Sequence, residues 1–280
     1  MPEIGECYSI SEKLKEHTGK VFKVEISERF NKYIQKGKFP ITDIKGGSIT
    51  KIAPYGKSIW FFGETKKQKF IITSQLGMSG SWFINDAMAE RGHFHLKLLV
   101  GKTWLRYSDP RMFGKMNVYF GENFDELTKD VIKKHKWGID PILSSEEEIL
   151  SQFYKLQKTD QSIKIKLLEQ NLIFGIGNYL ASEILFDAKI NPNRKSSSLT
   201  EPEFKTLTKS TKKWVLLAKK HNGFSFGGGY IMPDGSLGKG IEKYIQVYQK
   251  EGLPCPICKN KINKEFLATR ATFYCSNCQK

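Results

Sequence analysis

Leu253-Pro254-Cys255-Pro256-Ile257-Cys258 is followed, after sixteen intervening residues, by Cys275-Ser276-Asn277-Cys278. This C-x2-C-x16-C-x2-C spacing lets two tight turns offer four thiolates to one tetrahedral zinc. Two disulfides are the alternative for the same cysteines, and an intracellular context together with the Pro254 and Pro256 turns favours the metal. A tail of this size buries too little surface to fold alone, so one Zn2+ supplies its folding energy, and four thiolates leave no position open for catalysis. The expectation is a structural zinc finger over residues 253–280. Between the pairs, Phe266 to Tyr274 reads as a β-hairpin, with Arg270 near its turn, where a guanidinium can clamp a phosphate.

Working toward the N-terminus, a glycine-rich stretch from Gly223 to Gly240 precedes the cysteines. Before it the periodicity is helical: Ile149, Phe153 and Leu156, then Tyr179 to Phe186, then Phe204 to Ala218. A helical domain carrying the glycine-rich loop is expected over 146–252. Val131 to Ser145 holds Gly138, Asp140-Pro141 and two serines, and 131–145 is read as the linker. Residues 1–130 read as a leading helix and then strands: Val21 to Ile26, Ile49 to Ile52, Ser58 to Phe62, Phe70 to Thr73, Trp82 to Ile84, His93 to Val100 and Asn117 to Phe120. Strands followed by helices favour a β-sandwich over a βαβ sheet, hence an α+β, multidomain chain.

The 280 residues carry 45 Lys+Arg against 29 Asp+Glu, a net charge of +16, which points to a polyanionic partner with nucleic acid ahead of a membrane surface. Residues 1–145 and 146–280 contribute +8 each (24 − 16 and 21 − 13), so the footprint spans both parts. The competing reading is a lysine-solvated surface, since only six of the 45 are Arg. No apolar run is long enough for a signal peptide or membrane span, and the expected location is cytoplasmic or nucleoid, or nuclear in a eukaryote, and not secreted. Cys7 falls on the apolar face of the first helix and reads as a buried thiol.

Met1-Pro2-Glu3 opens the chain. Removal of Met1 would leave a prolyl secondary amine, and an α-amino group titrates near pH ~7.7–8.0, low enough to be partly neutral and nucleophilic in the cell. The competing reading is an ordinary first helical turn, in which Pro and Glu are common. Two turns project side chains from loop tips: Leu76-Gly77-Met78-Ser79-Gly80 and Asp109-Pro110-Arg111-Met112-Phe113-Gly114. Met78 and Phe113 taken singly fit small core clusters. Together with Arg111 they supply two apolar wedges and a cation, the chemistry needed to fill a base stack from which one base has been extruded. Gly175-Ile176-Gly177-Asn178 opens the Tyr179 helix, with Asn178 read as its N-cap and free N–H groups able to hold a phosphate. It is not a dinucleotide fingerprint, because Leu180 occupies the third glycine position.

These segments resemble the formamidopyrimidine-DNA glycosylase and endonuclease VIII family of repair enzymes along nearly the whole chain. The likeness rests on Met1-Pro2-Glu3 with Glu6, Tyr55-Gly56-Lys57, Leu76 to Trp82, Asp109-Pro110-Arg111 with Phe113-Gly114, Gly175 to Glu183, and Arg270 to Cys275. It implies an N-terminal β-sandwich, a helix-two-turns-helix domain, a zinc finger, and damaged double-stranded DNA bound in the cleft between lobes by a monomer. By position, Pro2 resembles the nucleophile that attacks C1′, Glu3 the acid/base of sugar-ring opening, Glu6 their support and Lys57 a phosphate contact. Asn178 and Arg270 resemble the phosphate clamp, Lys164 a basic residue on a DNA-facing helix, and Met78, Arg111 and Phe113 the void-filling trio. Glycosidic cleavage followed by β- and δ-elimination through an imine is the reaction implied, with no redox cofactor.

Two positions depart from the family pattern: Gly5 stands where many members have proline, and Met112 replaces a second arginine. The trio and the run from Gly227 to Gly240, with Asp234-Gly235, resemble the formamidopyrimidine branch and its base-capping loop, so oxidised purines (8-oxoguanine and formamidopyrimidines) are the expected lesions. Oxidised pyrimidines are the alternative, followed by a damaged-DNA-binding protein without chemistry. His93 and His95 read as surface or packing histidines.

Overall fold

A computed structural model describes residues 2–30, 40–224, 231–237 and 240–280. The chain forms two compact units: one of Met1–Pro2, Glu6–His135 and Ser225–Lys239, the other of Glu3–Gly5, Lys136–Phe224 and Gly240–Lys280.

In the first unit, helix α1 (Ile4–Leu14) precedes strands β1 (Gly19–Ile26), β2 (Ser48–Tyr55), β3 (Ser58–Glu64), β4 (Lys69–Gln75), β5 (Ser81–Ile84), β6 (Phe94–Val100), β7 (Thr103–Ser108) and β8 (Lys115–Gly121). They pair antiparallel in the order β5-β7-β6-β1-β2-β3-β4-β8. Strand β1 makes the corner: Gly19 and Lys20 pair with β2, and Val21 onward pairs with β6. The ladder folds back on itself, because Phe61 of β3 and Trp82 of β5, five places apart in that order, bring their rings to 4.7 Å. The Trp82 indole N–H also donates to Ser74 Oγ of β4 at 3.0 Å. Both halves bury their alternate residues in one core that includes Ile49, Phe61, Ile72, Trp82, Leu98 and Leu105, and α1 adds Cys7, Ile10 and Leu14 at helical spacing.

Three features differ from the sequence expectation. Strand β7 follows β6 through a two-residue turn with Gly101 at φ +58, where a seven-strand reading had stopped at Val100. Helix α2 (Phe124–His135) occupies the first part of the expected linker. It is a well-signalled helix: Asn123 Oδ1 accepts Asp125 N–H at 2.7 Å, acidic residues begin it, Lys133, Lys134 and His135 end it, and Leu127 and Val131 are buried. The third concerns the glycine-rich run, whose described residues 231–237 cluster with the sheet rather than the helical domain. Ile84 N–H donates to Pro233 O at 2.8 Å, and Lys13 pairs with Asp234 at 2.6 Å. Residues 225–230 and 238–239 of that run lie outside the described residues.

The second unit holds α3 (Glu146–Tyr154), α4 (Ile163–Leu168), α5 (Asn178–Asp187), α6 (Glu201–Lys220) and the hairpin β9 (Asn263–Leu267) and β10 (Arg270–Tyr274). Capping boxes, Ser145 with Glu148 and Thr200 with Glu203, start α3 and α6. Helix α6 packs against α3 and α5, and every residue of α5 from Tyr179 to Phe186 is buried. Among them, Glu183 is fully buried and accepts the N–H groups of Gln246, Val247 and Tyr248 at 2.9, 3.0 and 2.7 Å, fixing the chain just before the finger. Burial pushes its carboxyl up to about 7, against the pull of those donors. No helix among the described residues is long and apolar enough to cross a membrane.

If the two halves of the sheet share one core at Trp82, Trp82→Ala costs ~3–5 kcal/mol in urea unfolding. A loss under about 1 kcal/mol would show that the ring is not a core contact.

Candidate functional site

In the first unit, one carboxylate holds two loops together. Asp109, 1% exposed, accepts from Ser79 Oγ at 2.5 Å, from Gly114 N–H at 2.8 Å and from Tyr107 Oη at 3.2 Å. Ser79 Oγ in turn accepts Arg111 N–H at 3.2 Å, so loops 76–80 and 109–114 are joined through one hydroxyl and one carboxylate. The backbone carbonyl of Asp109 accepts Met112 N–H at 3.1 Å and lies 2.9 Å from His95 Nε2. His95 is buried, with Nδ1 at 3.1 Å from Ser27 Oγ, and burial lowers its pKa and favours the neutral ring, which donates through Nε2. It is thus a packing histidine with a loop to hold. Gly77 sits at φ +64, where a Cβ would come within 2.5 Å of the Phe113 backbone, so the loops approach too closely for any side chain there.

What this lock presents is apolar and exposed. Met78 and Phe113 are each 51% exposed, and the Arg111 guanidinium lies 4.5 Å from the Phe113 ring centroid. Core packing, the alternative for both residues, does not hold, since each leaves half of its surface in solvent.

Beside these loops lies a cavity of about 200 Å³ lined by Pro2, Lys57, Gln75, Leu76, Gly77, Phe113 and Lys115. Pro2 is otherwise buried. Lys57 reaches the cavity from the two-residue turn between β2 and β3, in which Tyr55 pairs with Ser58 and Gly56 supplies φ +53. Glu6, one turn into α1, is 1% exposed.

In the second unit, Glu3 is 3% exposed and sits on the N-terminus of α5. Its carboxylate accepts Gly177 N–H at 2.8 Å, Tyr179 N–H at 3.1 Å and Leu180 N–H at 3.3 Å. The expected phosphate cradle at Gly175–Asn178 is therefore filled by the protein's own anion, at the positive end of the helix dipole. The N-cap is Gly177, not Asn178, and a Cβ at 177 would lie 2.2 Å from the Glu3 carboxyl carbon. Gly5, the departure from proline, has Ala218 where its Cβ would be, at 2.9 Å.

Asn178 and Lys164 both turn toward the hairpin. Asn178 Nδ2 donates to Ala271 O at 2.9 Å, and Lys164 Nζ to Ala271 O at 3.1 Å, Thr272 Oγ1 at 3.0 Å and Ser182 Oγ at 3.4 Å. Lys164 is 0% exposed, with its ammonium directed to those three protein acceptors. Burial lowers its pKa to about 7, with Glu3 and Glu265 opposing the shift. The next residue along the strand, Arg270, is exposed and follows a two-residue turn with Ala268 at φ 45 and Thr269 at φ 66. Cys255, Cys258, Cys275 and Cys278 place their sulfurs within 4.8 Å of one another. Tetrahedral Zn–S bonds of ~2.3 Å put sulfurs ~3.8 Å apart, so the four thiols fit one structural zinc.

Comparison with known proteins agrees over the chain's length. Residues 1–116 match the formamidopyrimidine-DNA glycosylase N-terminal domain, 137–225 its H2TH domain, and 252–280 the zinc finger found in FPG and IleRS. The formamidopyrimidine-DNA glycosylase of Ureaplasma parvum is 30% identical over 286 residues, covering 100% of both chains; that of Bacillus anthracis is 31% identical over 242 residues, covering 84% of this chain and 82% of its own. The chain belongs to the formamidopyrimidine-DNA glycosylase family. A mutant Lactococcus lactis FPG solved with Fapy-dG containing DNA superposes with a TM-score of 0.83 at 28% identity, covering 100% of both chains. The wild-type enzyme of that organism with an oxidized pyrimidine containing DNA gives 0.82 at 28% identity, with the same coverage.

Sequence reasoning named the tips of this glycosylase fold and missed what holds them. In the sequence Asp109 is one residue of a turn, and only its burial between two glycine-bearing loops makes it the acceptor for their donors. Gln75 and Lys115 carried no local signal, because their approach to Pro2 depends on the register of β4 against β8.

Two outcomes follow from these contacts. Asp109→Asn turns an amide NH2 toward a buried donor, so it costs ~1–3 kcal/mol and speeds amide exchange at Gly114 and Arg111 by at least tenfold, whereas unchanged exchange would refute the lock. For Lys164, the folded-state pKa near 7 lies below the ordinary 10.5, so the protein releases a proton on folding between those values and grows more stable as pH rises above 7. The urea midpoint of the zinc-loaded protein should climb from pH 7 to 9, and Lys164→Met should flatten that climb; equal slopes would contradict the burial argument.

Proposed function

We propose that the chain is a bifunctional DNA glycosylase and abasic-site lyase of base-excision repair that releases oxidised purines, formamidopyrimidines and 8-oxoguanine, from double-stranded DNA. The observation that carries this is Pro2 on the wall of a cavity shared with Lys57. With Met1 removed, the Pro2 nitrogen is a secondary amine able to attack C1′ of an extruded nucleotide. The glycosidic bond then breaks with its electron pair leaving on the base, which takes a proton. Opening of the sugar ring gives an imine cation, and Glu3, the next residue, gives and takes the protons of that opening. Base extrusion costs a few kcal/mol, and Met78, Arg111 and Phe113 supply the wedges and cation that fill the gap. Arg270 and Lys57 hold backbone phosphates, and the zinc fixes the hairpin that carries Arg270.

The enzyme works as a monomer on DNA in the cytoplasm, where the positive charge of both parts of the chain draws it to the duplex. Oxidised pyrimidines are the second reading, favoured by the Lactococcus lactis FPG complex with an oxidized pyrimidine containing DNA.

Borohydride reduces an imine to a stable amine, so it should trap a covalent complex with duplex DNA containing 8-oxoguanine or a formamidopyrimidine. Pro2→Gly should lower the trapped yield by on the order of 10³-fold. An enzyme that releases the base yet yields no adduct would overturn the imine route. A panel that includes oxidised pyrimidines ranks the two lesion readings in the same assay.

A further inference from the structure

A second cavity, of about 480 Å³, opens at the end of β3 opposite Lys57, between residues 43–47 and the β3–β4 turn at 65–68. Four segments of the first unit meet around it. Gly46 N–H donates to Val21 O at 2.9 Å, Val21 N–H to Gly47 O at 2.7 Å, and Gly101 N–H to Lys20 O at 2.9 Å. A Cβ on Gly47 would lie 2.5 Å from Glu64 O, so the chain entering β2 rests directly on the end of β3. Thr65 Oγ1 accepts the N–H groups of Lys67 and Gln68, both at 3.2 Å, and fixes the turn between β3 and β4.

This built framework presents lysines: Lys20, Lys45, Lys66, Lys67 and Lys102 all stand exposed on it. None of the five forms an ion pair among the described residues. The acids of the same segments are Asp43 and Glu64, so the cations are in excess. Phe22 is the exposed large apolar residue that borders them, and the Lys20 ammonium lies 5.5 Å from its ring centroid. A face that enters a bilayer or buries a protein partner needs more apolar surface than this, whereas a polyanion needs cations and polar groups such as Thr65 and Gln68.

We propose that this end of the sheet is a second nucleic-acid site, which takes the phosphate backbone of a DNA segment other than the one engaged beside Pro2. The seven residues of β3 separate the two ends by roughly 20 Å. Duplex DNA is stiff over ~50 nm, so a helix lying at the Pro2 end does not curl back along the strands to reach Lys66 and Lys67. The inference rests on the DNA-repair reading and goes beyond it. A protein holding two segments at once passes from one to the other without release into solvent, which shortens the search for a damaged base.

The test uses zinc-loaded full-length protein saturated with a short duplex that bears a tetrahydrofuran abasic-site analogue and a donor dye. An undamaged duplex with an acceptor dye is then added at low salt. Energy transfer, with sedimentation for stoichiometry, should report two duplexes on one protein. In Lys45→Ala/Lys66→Ala/Lys67→Ala the affinity for the second duplex should fall by on the order of tenfold or more, and its salt slope by about two to three, since each phosphate neutralised contributes ~0.9. Affinity for the first duplex and base release from a short substrate should stay as in wild type. Lys129→Ala/Lys158→Ala/Lys209→Ala, which removes the same charge from exposed positions elsewhere, should keep the second duplex. Dissociation of the first duplex should quicken with the concentration of undamaged competitor in wild type and lose that dependence in the variant at 45, 66 and 67.

One duplex per protein at every concentration, equal losses in the two triple variants, or capture of anionic vesicles with no second duplex would each overturn the proposal. Failure of wild type to bind the analogue duplex more tightly than undamaged duplex would instead remove the repair reading. The lysine site is then read with undamaged duplex alone, and unchanged binding in the variant at 45, 66 and 67 would overturn it.

Discussion

The Glu3 carboxylate on the N-terminus of α5 is the constraint on which the rest depends. Three N–H groups converge on it, at the end of a helix whose dipole favours an anion. The same few residues are fixed twice more, by Ile4 N–H donating to Gly175 O at 3.1 Å and by Gly5 lying flat on Ala218. The peptide after Pro2 is therefore held on each of its next three residues. A chain terminus is ordinarily the least ordered part of a domain, and the proposed role of Pro2 as a nucleophile needs it held close to its target for proximity to count. Here it is pinned, and Pro2 meets an open cavity instead of solvent.

Asp109 does for loops 76–80 and 109–114 what the α5 N-terminus does for the terminus. Loops that leave a methionine, a phenylalanine and an arginine in water tend to collapse onto their own surface, and apolar tips held out gain nothing until a partner covers them. The Asp109 acceptors for Ser79, Gly114 and Tyr107, with His95 behind, keep the tips extended, so that ordering them costs little when a partner covers them. In the other unit the buried Lys164 ammonium and the Asn178 amide meet on one carbonyl, that of Ala271, and so fix the strand that carries exposed Arg270. In each case a buried polar group fixes the element that carries an exposed one.

Much of this was legible in the sequence because the signals are local. Cysteine spacing specifies its own geometry, alternation in Phe70 to Thr73 specifies a strand, and Gly56 before Lys57 specifies a tight turn. Strand β7 and helix α2 carried equally local signals, Gly101-Lys102 before Thr103 and Asn123 before an acidic first turn. The neighbouring strand β6 and the stronger turn signals at Gly138 and Pro141 mask them. The roles of Lys164 and Asn178 were not legible in this way. A lysine on a short helix looks solvent-facing until the hairpin more than 100 residues away covers it, and an asparagine at a helix start looks like a cap until a glutamate from the chain's beginning takes the cap's donors. Register across β4 and β8 is likewise a tertiary fact, which is why Lys115 had no motif to announce it.

The account stands on the identity of one nitrogen. After reduction of the enzyme–DNA imine and digestion of both components, mass spectrometry of the cross-linked peptide assigns the residue that carries the sugar remnant. The remnant is predicted on an N-terminal peptide that begins at Pro2. A remnant on the peptide containing Lys57 or Lys115, with Pro2 unmodified, would make a lysine the nucleophile and contradict the account.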